Sequence, residues 1–465
     1  MTGSLTSAIR ELVAEDLAGS EASALGADDR REFARQQVFV HLDALTSDEN
    51  EAWETGYDTE EEERLAKRVL DELFGLGRLQ AFVDDPSIEN IDINGCDRVW
   101  ATFADGSKRM MSPIADSDAE LVDLIRAAAS RFGLSERRFD LACPQLDLRL
   151  PDGSRLSAVM AVAARPAVSI RRHRFSDLSL SDLVALGTLD AGVATFLSAA
   201  VQARKNIVVS GAMNSGKTTL LRALAAEIAP RERIVTIEQA FELGLDNSPH
   251  RHPDMVALEA RPANVEGEGL ISVADLVRRA LRMNADRVIV GEVLGDEVLP
   301  MLNAMSQGRS GSMCTIHADS SAGVFRRIAS YAAQAAERLP LEATNLLMAG
   351  AIHFVVHLES ELLDGHGMVS GALDTPVDFD ARRPSQPTHR VEQIEFPAVS
   401  TRQRFVSSIR EVVDSEGVHV VSNEVFRPDV DRRAVAAAPF RPETLNELER
   451  FGYHLRFPGF AEAPT

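Results

Sequence analysis

The sequence predicts an α/β chain, a P-loop nucleotide fold on a parallel sheet behind a smaller α+β domain. Three observations carry that expectation. Gly211-Ala212-Met213-Asn214-Ser215-Gly216-Lys217-Thr218 fits G-x-x-x-x-G-K-[ST] at every fixed position, with the strand-like run Ile207–Ser210 before it and the helix-like run Thr219–Ile228 after it. From about Asp190 onward, short apolar runs alternate with helical spacing, as parallel strands with crossover helices require. Upstream, turn signals at Asn94-Gly95, Asp105-Gly106 and Asp152-Gly153 separate short alternating runs, the pattern of hairpins beside a helix.

The elements follow in order. Residues 1–61 are rich in Ala, Glu and Asp, with helical spacing at Ile9, Leu12, Val13 and Leu17, and are expected to be helical and partly disordered. Ser47–Glu63 is strongly acidic and reads as solvated. Residues 62–173 read as the α+β domain. It holds a helix over Glu62–Leu73 ended by Gly75, strands at Ile91–Ile93 and Val99–Phe103, and a helix over Leu121–Phe132. A hairpin of Leu146–Leu150 with Arg155–Val162 and a strand at Val168–Arg171 complete it. Residues 174–189 read as a linker with a short helix, and 190–363 as the P-loop domain. Its expected strands are Ile207–Ser210, Ile234–Glu238, Val256–Leu258, Val288–Val290, Cys314–His317 and His353–Leu358. Ala343–Leu358 reads as a helix end, a turn at Ala349-Gly350 and a buried strand. Residues 364–465 form a C-terminal extension: a loop with Pro376, Pro384 and Pro387, antiparallel runs at Val406–Val413 and Val418–Val421, and a helix within Pro442–Phe457.

Composition narrows the class. Lys+Arg 49 against Asp+Glu 71 gives a net charge of −22, which opposes nonspecific attachment to nucleic acid or anionic lipid. Cys96, Cys143 and Cys314 lie far apart, outside metal or redox spacing, and suit a reducing compartment. The first residues lack a basic-then-apolar leader plan, and no run reads as a bilayer span, so a cytoplasmic chain is expected.

The phosphate-binding stretch organises the remaining candidates. Its glycines let backbone N–H groups approach a phosphate at a helix N-terminus, so Gly211 through Thr219 are expected to cradle a nucleoside triphosphate. Lys217 can reach the β/γ-phosphates and the Thr218 hydroxyl can ligate Mg²⁺. Glu238 ends a strand about twenty residues on, where a carboxylate can hold Mg²⁺ through water, and Glu242 is either a second such group or a first-turn helix residue. Arg287-Val288-Ile289-Val290-Gly291-Glu292 has the form of a Walker B strand with glycine in place of the usual Asp, leaving Glu292 to polarise a water. His317, after Cys314-Thr315-Ile316, reads either as a group near the γ-phosphate or as a core histidine. His353 and His357 share a strand face and read as structural.

Together these segments resemble the secretion ATPases of type II and type IV secretion systems, most of all the CpaF-like branch that powers Flp/Tad pilus assembly. The resemblance covers roughly residues 62–455 and rests on four ordered motifs: Gly211–Thr218, Thr236–Leu243 as an acidic box, Arg287–Glu292 as an Asp-less Walker B, and Gly311–Ala318 as a histidine box. Glu259–Gly267 and Leu281-Arg282-Met283 add to it. The resemblance implies a RecA-like motor domain behind a sensing domain, a homohexamer, and MgATP hydrolysis coupled to platform proteins of the inner membrane. It also implies a peripheral place at the inner face of the cytoplasmic membrane through those partners; stable nucleic-acid binding is not expected, given the net charge of −22 and no interleaving of aromatic and basic residues. Arg155, Arg171 and Arg282 fall where the family supplies arginines to the nucleotide phosphates. Gln239, Leu294, Asn284, Arg309 and Ala161-Val162-Ala163 depart from the family pattern. Two other readings stand beside the motor: a RecA-like nucleic-acid translocase, and a weakly hydrolysing nucleotide switch or scaffold, which Gln239 and Leu294 support.

Overall fold

The computed structural model describes residues 2–19, 25–47, 59–103, 105–133, 138–172, 178–261, 263, 267–306, 310–364, 395–396 and 400–454. They form two compact units, Met1–Arg172 with Val369–Ala398, and His173–Met368 with Val399–Thr465.

The first unit opens with three helices, Thr2–Ala18, Ala27–Ser47 and Thr59–Phe74. Leu5, Ile9, Val13 and Leu17 recur every four residues, so one helical face is apolar, and it packs on Ala34, Val38, Leu42, Leu65 and Val69. Residues 2–19 and 25–47 include two of these helices; within the first, Leu12 is only half-buried, and Leu5 takes the core position instead. Residues 48–58, the heart of the expected acidic stretch, lie outside the described residues. A seven-stranded antiparallel sheet follows. Its strands are β1 (Ile88–Asn94), β2 (Val99–Phe103), β3 (Lys108–Met111), β4 (Gln145–Arg149), β5 (Arg155–Val159), β6 (Ala167–Arg171) and β13 (Glu395–Phe396), in the order β13-β3-β2-β1-β6-β5-β4. Ile88, Ile91 and Ile93 of β1 face a helix at Asp118–Phe132, whose N-terminus is capped by the Ser117 hydroxyl accepting from the Glu120 amide. The expected hairpin is present, though its second strand stops at Val159.

The second unit is built on a nine-stranded sheet. The parallel part comprises β7 (Ile207–Gly211), β8 (Ile234–Glu238), β9 (Met255–Glu259), β10 (Arg287–Val293), β11 (Met313–His317) and β12 (Phe354–Asp364). The strands β14 (Ser400–Glu416), β15 (His419–Pro428) and β16 (Ala434–Ala436) add antiparallel to β12, giving the order β16-β15-β14-β12-β7-β11-β10-β8-β9. Every residue of β7 and β8 is buried, as a sheet covered on both faces demands. One face packs on the helices Ala191–Gln202 and Lys217–Ala225, the other on Val273–Ala280, Val298–Ser306 and Gly323–Gln334. Two sequence expectations change here. The helix expected to turn at Ala349-Gly350 runs on to Ala351. Residues 400–454, expected as a C-terminal extension, add to the nine-stranded sheet and its core: Phe426, Phe440 and Tyr453 gather round Phe196, with ring centroids 5.3–5.5 Å away. Pro376, Pro384 and Pro387 lie outside the described residues.

The amino end of β7 is tied down by Asn206, which is fully buried. Its Nδ2 donates to the carbonyls of Met305 (2.9 Å) and Ala351 (2.6 Å), its Oδ1 accepts from the amides of Gly311 (2.8 Å) and Ser312 (3.0 Å), and its own amide donates to His353 Nδ1 at 2.9 Å. Burial pushes His353 down to about 4, so it stays a neutral acceptor. Asn206→Ala would strand two buried amides and two carbonyls, and should destabilise the second unit by roughly 3 kcal/mol or more. A urea unfolding curve with an unchanged midpoint would contradict this account of the node.

Candidate functional site

The carboxyl ends of β7, β8, β10 and β11 lie along one edge of the parallel sheet, the edge on which open α/β sheets form their ligand crevice. β7 ends at Gly211, whose φ is 155°; a Cβ there would stand 2.5 Å from both the Leu358 carbonyl oxygen and Ser215 Oγ. Asn214 (φ 60°) and Gly216 (φ 95°) carry the chain through left-handed backbone into the helix Lys217–Ala225, which Gly216 caps. The loop Ala212–Ser215 therefore curls over a helix N-terminus, the arrangement that attracts anions. Ser215 Oγ is buried without a hydrogen-bond partner among the described residues. The shape of this cradle and its orphaned hydroxyl fit a polyphosphate.

Lys217 is largely buried: its Nζ donates to the Ala212 carbonyl (2.9 Å) and lies 3.2 Å from His317 Nδ1. His317 Nε2 lies 2.7 Å from Glu292 Oε1. An ammonium can only donate, so Nδ1 accepts from it and Nε2 carries the proton shared with Glu292. One imidazole thus connects the P-loop lysine to the Walker B carboxylate. Glu292 reaches the crevice because β10 bulges: Val290 pairs with Cys314 and Val293 with Ile316, which leaves an extra residue at Gly291-Glu292. The Thr315 hydroxyl donates to the Gly291 carbonyl at 2.6 Å and fixes that bulge.

Glu238 sits beneath it, 4% exposed. Its Oε1 accepts from the amides of Glu242 (2.9 Å) and Leu243 (2.7 Å). Burial pushes its carboxyl up to about 7, while those amides pull the other way. A Cβ on Gly291 would stand 2.9 Å from Glu238 Cγ, so the glycine in the Walker B position makes room for this carboxylate. Glu242 starts no helix; its amide instead holds Glu238. Thr218, the first magnesium candidate, lies in the first turn of the P-loop helix, and Glu238, the second, ends β8.

The arginines divide. Arg155 on β5 and Arg171 on β6 are directly opposite in the sheet of the first unit, and Arg155 lies 3.6 Å from Asp147. Arg282 is exposed on the turn that leads into β10, at the opposite end of the strand from the crevice, so a single chain does not bring it to the phosphate loop. His357 is a core group, its Nδ1 2.9 Å from the Ser210 hydroxyl. Sequence reasoning missed Arg404 of β14, whose Nε donates to the Asn214 carbonyl at 2.9 Å. It lies 190 residues from its partner, just before the run that reads as a strand, and no local signal marks it.

The family pattern described as type II/IV secretion system protein matches residues 73–364. Among known proteins, "Putative conjugal transfer protein MT3759" of Mycobacterium tuberculosis (strain CDC 1551 / Oshkosh) is 36% identical over 301 residues, 63% of this chain and 82% of that one. The type IV secretion system protein VirB11 of Brucella suis biovar 1 (strain 1330) is 30% identical over 337 residues, 66% of this chain and 90% of that one. The crystal structure of the VirB11 ATPase from the Brucella suis type IV secretion system in complex with sulphate aligns at 29% identity over 66% of this chain and 94% of that chain, with a TM-score of 0.33. The family match takes in the P-loop and the strands that carry Glu238, Glu292 and His317, and the chain belongs to the type II/IV secretion system protein family.

Proposed function

We propose that this chain is an ATP-hydrolysing motor that powers Flp/Tad-type pilus assembly or type II/IV secretion. In this reading it works as a homohexamer at the inner face of the cytoplasmic membrane, held there by platform proteins. The observation that carries the reading is the line Lys217–His317–Glu292 laid across the mouth of the P-loop. Relatives named for conjugal transfer and type IV secretion support the choice of machinery. No helix among the described residues is long and apolar enough to cross a membrane, so partners would supply the attachment.

The proposed step is hydrolysis of the terminal phosphate. The P-loop amides and Lys217 bind the phosphates and orient them. Glu292 holds the water whose oxygen bonds to the γ-phosphorus while the bond to the ADP oxygen breaks, and it takes that water's proton. His317 keeps Glu292 in place by donating from Nε2. Magnesium, held through Thr218 and Glu238, would supply charge neutralisation on the phosphates. Arg155 and Arg171 of the first unit are proposed to add phosphate contacts. Arg282, remote from its own P-loop, would serve a neighbouring subunit in a ring. Gln239 and Leu294, which depart from the family pattern, favour a second reading: a nucleotide switch that binds ATP but turns it over weakly. Phosphate release by the purified chain separates the two.

Three outcomes test the site. Lys217→Ala should reduce phosphate release to background, because the loop loses the charge on the β/γ-phosphates. Wild-type release by this variant would remove the P-loop from the reaction. Glu292→Gln should still bind ATP, measured by calorimetry, and hydrolyse it about 100-fold more slowly. Equal turnover would move the base elsewhere.

The third outcome concerns Glu238 and pH. Its folded value of about 7 lies above its ordinary value, so the folded state binds its proton more tightly than the unfolded state. That contribution is fully present below about pH 4.5 and is lost as pH rises through 7. Glu238→Gln should therefore lose less thermal stability than the wild type between pH 5.5 and 8. Parallel melting curves over that range would show that Glu238 is not the group responsible.

A further inference from the structure

The strand that follows the nucleotide fold reaches back into it. β14 pairs with β12, and β12 with β7, so β14 is two strands away from the P-loop strand. Its phase is set by a bulge: His357 pairs with Ser408 and Leu358 with Val406, which leaves Ser407 as an extra residue. A one-residue insertion exchanges the two faces of a strand beyond it. Val406 accordingly packs in the core that holds Leu220, Leu221 and Leu224 of the P-loop helix, and Arg404, two residues earlier in the strand, points to the same side. There its Nε donates to the Asn214 carbonyl at 2.9 Å, and its Cδ lies 3.3 Å from where a Cβ on Gly216 would stand. The side chain lies along the crest of the loop, against both of the left-handed residues at its turn. On the other side of the bulge, Ser408 Oγ (2.9 Å) and Arg410 Nε (3.0 Å) both meet Ser321 Oγ, four residues past His317.

We propose that Arg404 is a positioning residue of the nucleotide site, supplied by β14, which fixes the Asn214-Ser215 peptide and so holds the P-loop amides in their phosphate-binding arrangement. Asn214 is a non-glycine residue at φ 60°, a backbone state that needs support from its surroundings. The guanidinium supplies a charge-assisted hydrogen bond to its carbonyl and places positive charge beside the phosphate cradle. Because the crest serves the phosphates that ATP and ADP share, Arg404 contributes equally to both nucleotides. Through Ser408 and Arg410 the same strand also touches the segment after the histidine box. β14 therefore connects the loop that binds phosphate to the loop that follows His317.

This proposal rests on the nucleotide reading, and the experiment keeps the two apart. Arg404→Met retains the aliphatic stem beside Gly216 and removes the donor and the charge; Arg404→Lys restores a cationic donor. With fluorescent ADP and a slowly hydrolysed ATP analogue, Arg404→Met should bind both about tenfold more weakly than the wild type, and Arg404→Lys should recover most of that loss. In the nucleotide-free chain, hydrogen exchange at the 212–216 amides should be faster in Arg404→Met, with the melting temperature unchanged. Wild-type affinity and wild-type exchange in Arg404→Met would overturn the proposal, as would a loss confined to the ATP analogue. If the wild-type chain itself bound neither nucleotide, the nucleotide reading would fail as a whole.

Discussion

The buried amide of Asn206 is the constraint on which the rest of the second unit depends. Four hydrogen bonds to one fully buried side chain fix where β7 begins relative to the ends of two helices and the entry to β11. Since β7 is the P-loop strand, five residues long, its starting point sets the height at which Gly211 emerges into the crevice. The entry to β11 is equally constrained. Gly311 has φ 93°, and a Cβ there would stand 2.1 Å from Arg287 Nη1. That arginine is itself buried and bidentate to Glu232, at 2.8 and 3.0 Å. The amino end of the sheet is a polar lattice with its partners satisfied. The chemistry at the carboxyl end inherits its geometry from that lattice.

At the carboxyl end the governing term is space. Gly211 and Gly291 are each needed because another group occupies the volume a side chain would fill: the Leu358 carbonyl and Ser215 Oγ in one case, Glu238 in the other. The second case gives the missing Walker B aspartate a physical reason. The carboxylate that lies beneath that position arrives from β8 instead, and its burial changes its character. A carboxyl pushed up to about 7 exchanges its proton near neutrality, whereas an exposed aspartate would remain ionised.

The α/β class and the parallel strands were legible because strands buried on both faces leave continuous apolar runs, and the P-loop because its glycines follow from backbone geometry. Each strand expected between Ile207 and Leu358 has a counterpart in the sheet, displaced by a residue or more at most ends. What sequence patterns missed was set by tertiary context. The first two helices look acidic overall, yet a narrow stripe through Leu5 and Leu17 is enough to bury them. The bulge that turns Glu292 into the crevice depends on the pairing of β10 with β11, which local spacing does not encode. Arg404 and the aromatic group around Phe196 join residues more than 180 positions apart, and neither partner carries a periodic signal of its own.

The long β12–β14 ladder, running from Phe354↔Glu411 to Asp364↔Ser400, also has a mechanical meaning. Interstrand hydrogen bonds in such a pair lie perpendicular to the strands. A pull directed along β14 would load those bonds together, in shear, whereas a pull across the sheet would part them one at a time. The ladder begins beside the buried start of β12 and passes the rim of the P-loop. Tension along this axis would be shared across the whole β12–β14 ladder, so its resistance would grow with the number of paired residues.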